Sequence, residues 1–381
     1  MIGLAAPNRP RSDMSRLTEW RRTLDWPIVG AALSLIALGL LLALAAGPPA
    51  AARIGLEDSY RFVWRQAIFA AGGAGLLLAA SLLDRDWVRR AAAGVFLLAV
   101  LLMALVLLGG AEVKGARRWI ALGGFTLQPS ELVKPALVVL AGWLLAQRHL
   151  FPRGPWAPLA FGLFAAVIGL LLLQPDVGQA VLLTMAFILT FFVSGLPWRW
   201  AAAFGCGGIT LSVIVYASLD HVRRRVNAFL DPSAYDTYQI DRALEALRRG
   251  GVWGVGPGEG TVKASLPDAH TDFVFAVLGE EYGLVAGFAV MGLYGFIVVR
   301  GILAAARLSD GYARAAAVGL FALFGLQAAI NLGVNVALLP PKGMTLPLMS
   351  YGGSSLAGTA LTLGFALALI RRRGLAGKAY G

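Results

Sequence analysis

Apolar runs long enough to cross a bilayer recur along the chain from residue 26 to residue 370, separated mostly by short, arginine-rich connections. The first is Trp26 to Ala52. The others lie at 66–83, 91–111, 131–147, 154–174, 177–197, 200–218, 273–304, 315–338 and 350–370. A helix needs about 20 apolar residues to span the hydrocarbon core, so the pattern predicts an all-α polytopic membrane protein with ten transmembrane helices. Ten crossings place both termini on one side. The connection 219–272, between the seventh and eighth runs, is far longer than the rest, and loops of that length are commonly functional. Within it Ile240, Leu244 and Leu247 recur at helical spacing opposite Asp241, Arg242, Glu245, Arg248 and Arg249, which predicts a short helix from Tyr238 to Arg249 lying in the membrane interface. No repeat of 20 to 50 residues is visible. The expected organisation is an N-terminal segment 1–25, one ten-span domain 26–371 and a tail 372–381.

Composition excludes a water-soluble protein: 58% of the 381 residues are hydrophobic and 14% charged, where soluble domains carry about 25%. The formal charge of +12 is read through its placement. Arg9, Arg11, Arg16, Arg21 and Arg22 precede the first run, Arg85, Arg89, Arg90, Arg148, Arg153, Arg199, Arg307 and Arg314 fall in even-numbered connections, and Arg371, Arg372, Arg373 and Lys378 close the chain. By the positive-inside rule these face the cytoplasm, and the charge serves anionic lipid and orientation rather than nucleic acid. The opposite side has few basic residues in its short connections, with two exceptions, Lys114 to Gln128 and the long segment Asp220 to Asp272. Residues 1–25 lack a cleavable signal pattern and the first run is too long for a signal peptide, so the first span is expected to be retained. Cys206 is the only cysteine, so intramolecular disulfides and thiol-pair redox chemistry are set aside.

Several polar clusters interrupt the apolar pattern. Gly254, Gly256, Gly258 and Gly260 are followed by no Gly-Lys-Ser/Thr and preceded by no strand, which argues for a tightly turning backbone and against a nucleotide loop. Leu266-Pro267-Asp268-Ala269-His270-Thr271-Asp272-Phe273 sets two carboxylates and an imidazole before a long apolar helix, as a cap or as a catalytic or ligand site. Glu280 and Glu281 fall two turns into that run, where ionisable groups face a cavity or a partner; at least one is expected in a buried pair. Gln128, Ser130, Glu131 and Lys134 open the fourth span, with Glu131 and Lys134 on one face. Lys114, Arg117 and Arg118, beside Trp119, form a cationic rim that suits phosphate, pyrophosphate or lipid headgroups. Gln327, Asn331 and Asn335 make one polar stripe, expected to serve interhelical hydrogen bonds. Pro340 to Pro347, then Ser350-Tyr351-Gly352-Gly353-Ser354-Ser355, puts polar, turn-forming sequence at a span entrance, tolerated only in protein or along a wet cavity.

Three stretches resemble one family: Gly115-Ala116-Arg117-Arg118-Trp119-Ile120 through Gln128-Pro129-Ser130-Glu131 and Lys134; Leu266 to Phe273 through Gly279-Glu280-Glu281; and Lys342-Gly343 through Ser350 to Ser355. Together they are similar to the SEDS family (shape, elongation, division and sporulation) over about residues 25–372. The Pro-Lys-Gly-Met-Thr-Leu-Pro loop resembles the division members more than the elongation members, with Pro341 departing from the threonine common before that lysine.

The resemblance implies a peptidoglycan glycosyltransferase at the outer face of the bacterial cytoplasmic membrane, polymerising lipid II for septal wall synthesis. It implies Asp272 as general base and an inverting transfer that forms β-1,4 bonds and releases undecaprenyl pyrophosphate. Lys114, Arg117, Arg118, Arg223, Arg225 and Lys342 are the candidate pyrophosphate ligands. Glu131, Lys134 and Glu281 would organise the cavity, and Trp119, Gln128, Ser130, His270, Ser350 and Ser354 would complete the substrate-binding set. Asp272 is expected at a helix start, ionised and capping. No cofactor is fixed; a divalent cation, Mg or Mn, is the open option. The expected partners are a class B penicillin-binding transpeptidase and other division-complex membrane proteins, with no nucleic acid. An elongation-type polymerase, a lipid-linked oligosaccharide flippase and a non-enzymatic scaffold are the alternatives.

Overall fold

The computed structural model describes residues 16–113, 116–123, 125–195, 237–341 and 343–371, with isolated positions between 206 and 227. A short helix α1 (Arg16–Thr23) leads into α2 (Trp26–Arg53), α3 (Arg61–Ser81) and α4 (Arg85–Gly109). Three short strands, β1 (Ala111–Val113), β2 (Ala116–Leu122) and β3 (Phe125–Leu127), form an antiparallel sheet in chain order. Then come α5 (Pro129–Leu150), α6 (Trp156–Leu173) and α7 (Val177–Val193), followed by α8 (Tyr238–Gly250), α9 (Val262–Ser265), α10 (Val274–Ala306), α11 (Gly311–Asn335) and α12 (Gly353–Ile370).

Eight of these helices are long and apolar enough to cross a membrane, and α7 is a shorter apolar helix of 17 residues among the described residues. They match nine of the ten runs. The seventh, 200–218, falls for the most part outside the described residues, as do 1–15 and 372–381.

Burial separates the helices into a centre and a shell. The apolar windows of α5, α11 and α12 are 83%, 78% and 83% buried, against 28%, 28% and 22% for α3, α4 and α6, so the first three form the core and the others turn a wide face to lipid. Without a strong hydrophobic force between helices in a bilayer, close association depends on small residues. Gly358 of α12 shows why: a Cβ there would stand 2.5 Å from the Glu131 carbonyl oxygen of α5. The contact brings the polar start of α5 against α12.

The helix α10 is not one straight span. Its 33 residues would extend about 50 Å, well beyond a hydrocarbon core of about 30 Å, and it breaks at Gly283, where φ is 74° and ψ −175°. From Phe273 to Glu281 every residue is buried; from Leu284 onward exposed apolar side chains recur. The glycine-rich segment fills the break. Leu284 and Val285 donate their backbone N–H groups to the Gly251 and Val252 carbonyls at 3.0 and 3.3 Å, while Val255 and Gly256 donate to the Glu280 and Glu281 carbonyls at 3.0 and 3.1 Å. A Cβ at Gly283 would lie 2.4 Å from Gly254 N and from the Val252 carbonyl oxygen.

Two segments take a more definite form here. Helix α8 packs on the protein through Ala243, Ala246 and Gly250, its buried stripe, with Ile240, Leu244 and Leu247 half-buried and Leu247 covering Gly279 of α10. The segment expected as a cationic rim, with no secondary structure assigned to it, is a sheet, whose second turn begins at Gly123 with φ +53°; Gly-Gly between short strands is a hairpin signal that the basic residues obscured.

Candidate active site

The turn before α10 is built on Asp268, whose φ of +52° is a left-handed conformation that aspartate tolerates better than most residues. Its carbonyl accepts the N–H groups of Thr271 and Asp272 at 3.0 Å and of Phe273 at 3.3 Å. Asp272 is thereby set half-buried at the mouth of the bundle. It is not the cap of α10, contrary to expectation. The cap position is Phe273, with no side-chain bond, and the Asn335 Oδ1 accepts the Ala276 N–H at 3.1 Å, satisfying one of the donors a helix start leaves free.

The main chain of Asp272 is gripped from α11. Its carbonyl accepts Nδ2 of Asn331 at 2.8 Å and of Asn335 at 3.0 Å, and Asn331 Nδ2 also donates to the Met344 carbonyl at 2.6 Å. The stripe joins helices as expected, through Asn335 to Ala276 of α10 and Gln327 to Lys134 of α5, and it also ties α11 to two loops. Ser350 Oγ donates to the Thr271 carbonyl at 2.5 Å and accepts the Leu346 N–H at 2.8 Å, and Tyr351 N–H donates to the His270 carbonyl at 2.9 Å. The carboxylate faces Gly343, where a Cβ would stand 3.8 Å from Oδ2. That distance is ordinary contact; what favours glycine at 343 is its φ of +66°.

Beneath this turn lies a dry ionic network. Glu131 Oε2 is 2.8 Å from Lys134 Nζ, and Glu131 Oε1 accepts Gln179 Nε2 at 2.7 Å. Lys134 Nζ donates to Gln179 Oε1 at 3.1 Å and to Gln327 Oε1 at 2.9 Å, and none of the four residues is more than 3% exposed. Gln327 Nε2 donates to the Thr345 carbonyl at 3.2 Å, tying the network to the loop that faces Asp272. Gln327 precedes Asn335 by two turns, about 12 Å of helix, so the polar column descends well below the carboxylate. Glu131 and Lys134 thus form the buried pair at the centre of this network.

Asp176, in the turn between α6 and α7, connects the network to the hairpin. It lies 3.7 Å from Arg118 and accepts Gln128 Nε2 at 3.4 Å. Burial pushes its carboxyl above the usual range, and the Arg118 guanidinium and the Gln179 N–H pull it back. Arg118 is consequently not an open anion ligand. Its Nε donates to the Gln174 carbonyl at 2.9 Å and its Nη2 to the Pro175 carbonyl, so it tethers β2 to the end of α6. Arg117, on the same strand, is exposed and Trp119 half-buried. Ser354 Oγ accepts the Gln128 N–H at 2.9 Å and donates to the Thr126 carbonyl at 3.2 Å, again a tether. Ser130 is buried, and its Oγ has no hydrogen-bond partner among the described residues. Lys114, Arg225 and Lys342 lie outside the described residues, and Arg223 is an isolated, exposed position.

Glu281 is separated from Asp272 by about 13 Å of helix and does not organise the same cavity. It pairs with buried Lys263, whose Nζ also donates to the Gly258 carbonyl at 3.1 Å. Glu280 accepts the N–H groups of Thr261 and Val262 at 2.8 Å and of Lys263 at 2.9 Å. Both acids fasten the segment that fills the α10 break.

The structure adds a group that sequence reading passed over. Phe62 of α3, His270 and Tyr351 form a triangle of rings with centroids 4.6, 5.1 and 5.3 Å apart. The Arg65 guanidinium lies 5.6 Å from the Phe125 ring centroid. Burial raises the Tyr351 hydroxyl pKa while a hydrogen bond from Arg65 lowers it. Arg61 is exposed one turn before Arg65. These arginines, with Arg53, stand on the Asp272 side; α3 begins at Arg61, before the apolar run at 66, so hydropathy does not reveal the face that Arg61 and Arg65 share. The site thus offers a half-buried carboxylate on a fixed turn, arginines on the same side of the bundle and an aromatic wall, a set suited to accepting a proton beside a polyanion.

A family model described as cell cycle protein, FTSW_RODA_SPOVE, matches residues 26–373. The chain is 46% identical over 365 residues to a probable peptidoglycan glycosyltransferase FtsW of Caulobacter vibrioides, covering 95% of this chain and 93% of that one. It is 36% identical to the like-named protein of Geobacter metallireducens, covering 90% and 93%. Among solved structures it is similar to a chain described under "Structural coordination of polymerization and crosslinking by a peptidoglycan synthase complex", with TM-score 0.74, 32% identity and 91% and 97% covered. The rod shape determining protein RodA of Thermus thermophilus matches with TM-score 0.68, 30% identity and 92% and 98% covered.

Proposed function

The chain belongs to the family of cell cycle proteins that comprises FtsW, RodA and SpoVE, and from that membership we propose that it is a peptidoglycan glycosyltransferase that polymerises lipid II at the outer face of the cytoplasmic membrane. The FtsW-named relatives support septal synthesis during division. In the reaction the acceptor GlcNAc 4-hydroxyl attacks the anomeric carbon of the donor MurNAc. The new C–O bond forms as the bond to undecaprenyl pyrophosphate breaks, with inversion to a β-1,4 linkage, and the hydroxyl proton passes to the Asp272 carboxylate. A carboxylate is a weak base at neutral pH, so proton transfer accompanies bond formation rather than preceding it.

The observation that carries this reading is the hold on Asp272: Asn331 and Asn335 fix its main chain while its carboxylate faces the Gly343 backbone. Arg117, Arg61 and Arg65 would meet the pyrophosphate, with Lys342 adjacent in sequence to Gly343; the outer loop also supplies Arg223 and Arg225. Asp268, His270 and Asp272 share one turn, but no group of three metal-ligating side chains comes together among the described residues. That donor set fits, at most, a cation arriving with the pyrophosphate, and no step is assigned to it.

Ten crossings with both termini cytoplasmic are the topology proposed, and the partner proposed is a single-span class B penicillin-binding transpeptidase, with other division-complex membrane proteins around the pair. The break in α10 is a feature that transporters use for ligands; here the chain's own segment 251–256 takes its backbone groups, which favours the polymerase over the flippase. The test is to incubate the purified chain with lipid II, with and without the transpeptidase, and to look for glycan polymer. Polymer is expected with the partner present; its absence alongside a competent transpeptidase rejects the assignment.

A further inference from the structure

Trp253 is 80% exposed and Val252 53%, unusual for an indole and an isopropyl group next to a segment otherwise held so closely. Their depth is fixed by backbone. The Gly251 and Val252 carbonyls accept the Leu284 and Val285 N–H groups, so the tip sits at the level where α10 changes from a buried half-helix to a span. Leu284, Val285 and Phe288, at 46%, 48% and 66% exposed, begin the lipid-facing stripe there. One turn before the tip, Arg248 is exposed at the end of α8.

We propose that Val252, Trp253 and Arg248 form a membrane-surface contact, the indole lying at headgroup level and the guanidinium meeting lipid phosphate, so that the leaflet on the Asp272 side holds the segment that fills the α10 break. Tryptophan favours this zone because its ring is apolar and its N–H needs a wet acceptor. A cation near the surface adds attraction to anionic lipid. The tip continues an apolar stripe that already faces lipid, which distinguishes it from a patch awaiting a protein. The inference depends on α10 crossing the membrane and not on the reaction assigned to Asp272.

The test uses the full chain in nanodiscs, Cys206→Ser throughout, with an environment-sensitive fluorophore on Trp253→Cys and, as control, on exposed Glu259→Cys. A nitroxide carried near the lipid headgroup is expected to quench the label at 253 and spare 259, while aqueous iodide does the reverse. Hydrogen exchange at the Leu284 and Val285 amides is expected to lose protection in Trp253→Ser and to keep it in Trp253→Phe. Arg248→Gln should weaken lipid quenching in anionic discs and leave it unchanged in zwitterionic ones. Full iodide access at 253, protection from both quenchers as under a protein partner, or unchanged exchange in Trp253→Ser would each overturn the proposal.

Discussion

Asp272 is held through its main chain, which a change of carboxylate to amide leaves in place. The Asp272 main-chain bonds come from Asn331, Asn335 and Asp268, so Asp272→Asn should fold and insert normally yet lose polymerisation by roughly 100-fold to 10,000-fold, the usual contribution of a general base. Glycan assays beside a thermal melt check this; wild-type turnover would pass the role to Asp268 or His270. Asp268→Asn should keep most activity, because asparagine also tolerates the left-handed turn. The two strand arginines separate the same way. Arg117→Gln should weaken lipid II binding through a lost charge-assisted bond of about 1.5 to 3 kcal/mol, whereas Arg118→Gln should lower stability first, since its partners are the carbonyls ending α6. Titration with lipid II and melting curves on both variants distinguish the outcomes. In the dry network, Lys134→Met would strand Glu131, a loss of about 3 to 5 kcal/mol; adding Glu131→Gln should recover a large part of it in the same melts.

At the scale of elements, the α10 break depends on a glycine with nowhere to put a side chain. Gly283→Ala combines a left-handed φ with a Cβ 2.4 Å from the backbone of residues 252 and 254. It should release segment 251–256, seen as faster proteolysis between α8 and α9 and as lost polymer. The span pattern was legible in the sequence because lipid imposes one rule on every crossing, and nine runs became helices. The break was not, since its cause lies in a pairing with a segment about 30 residues earlier, and hydropathy averages across it. Neither was the purpose of the four glycines at 254 to 260: spacing announced a tight backbone without naming what it packs against. The packing face of α8 was hidden for a related reason, because alanine and glycine at 243, 246 and 250 carry it and weigh little in hydropathy. Glu131, Lys134 and Asp272 could be singled out because a charge in an apolar chain is conspicuous. Asn331 and Asn335 were visible too, but their partners are backbone carbonyls in distant loops, which no spacing predicts.

For the whole molecule, contacts between helix ends fix the direction of each crossing. Asp25 before α2 meets Arg300 near the end of α10, Arg85 at the start of α4 meets Asp310 before α11, and Arg371 after α12 meets Asp84, so these ends share one face of the membrane. His149 at the end of α5 lies 3.0 Å from the Ser194 carbonyl, and Arg89 beside the start of α4 lies over Trp143 of α5, which brings the end of α7 to that face as well. The turn before α10 is on the other face, where Arg53 donates to the Leu266 carbonyl at 2.9 Å. The end of α7 and the turn before α10 thus lie on opposite faces, as the proposed seventh crossing by the apolar run 200–218 requires. In the proposed topology the arginines at both termini and in the connections at 85–90, 148–153 and 307–314 orient the first face to the cytoplasm. Arg53, Arg61 and Arg65 oppose that bias but do not outnumber it. A periplasm-active reporter inserted after Ser233 should accordingly be active and one at Gly154 silent, with a cytoplasm-active reporter giving the reverse. Cytoplasmic activity at Ser233 would remove the seventh crossing and, with it, the placement of Asp272 on the face where lipid II is polymerised.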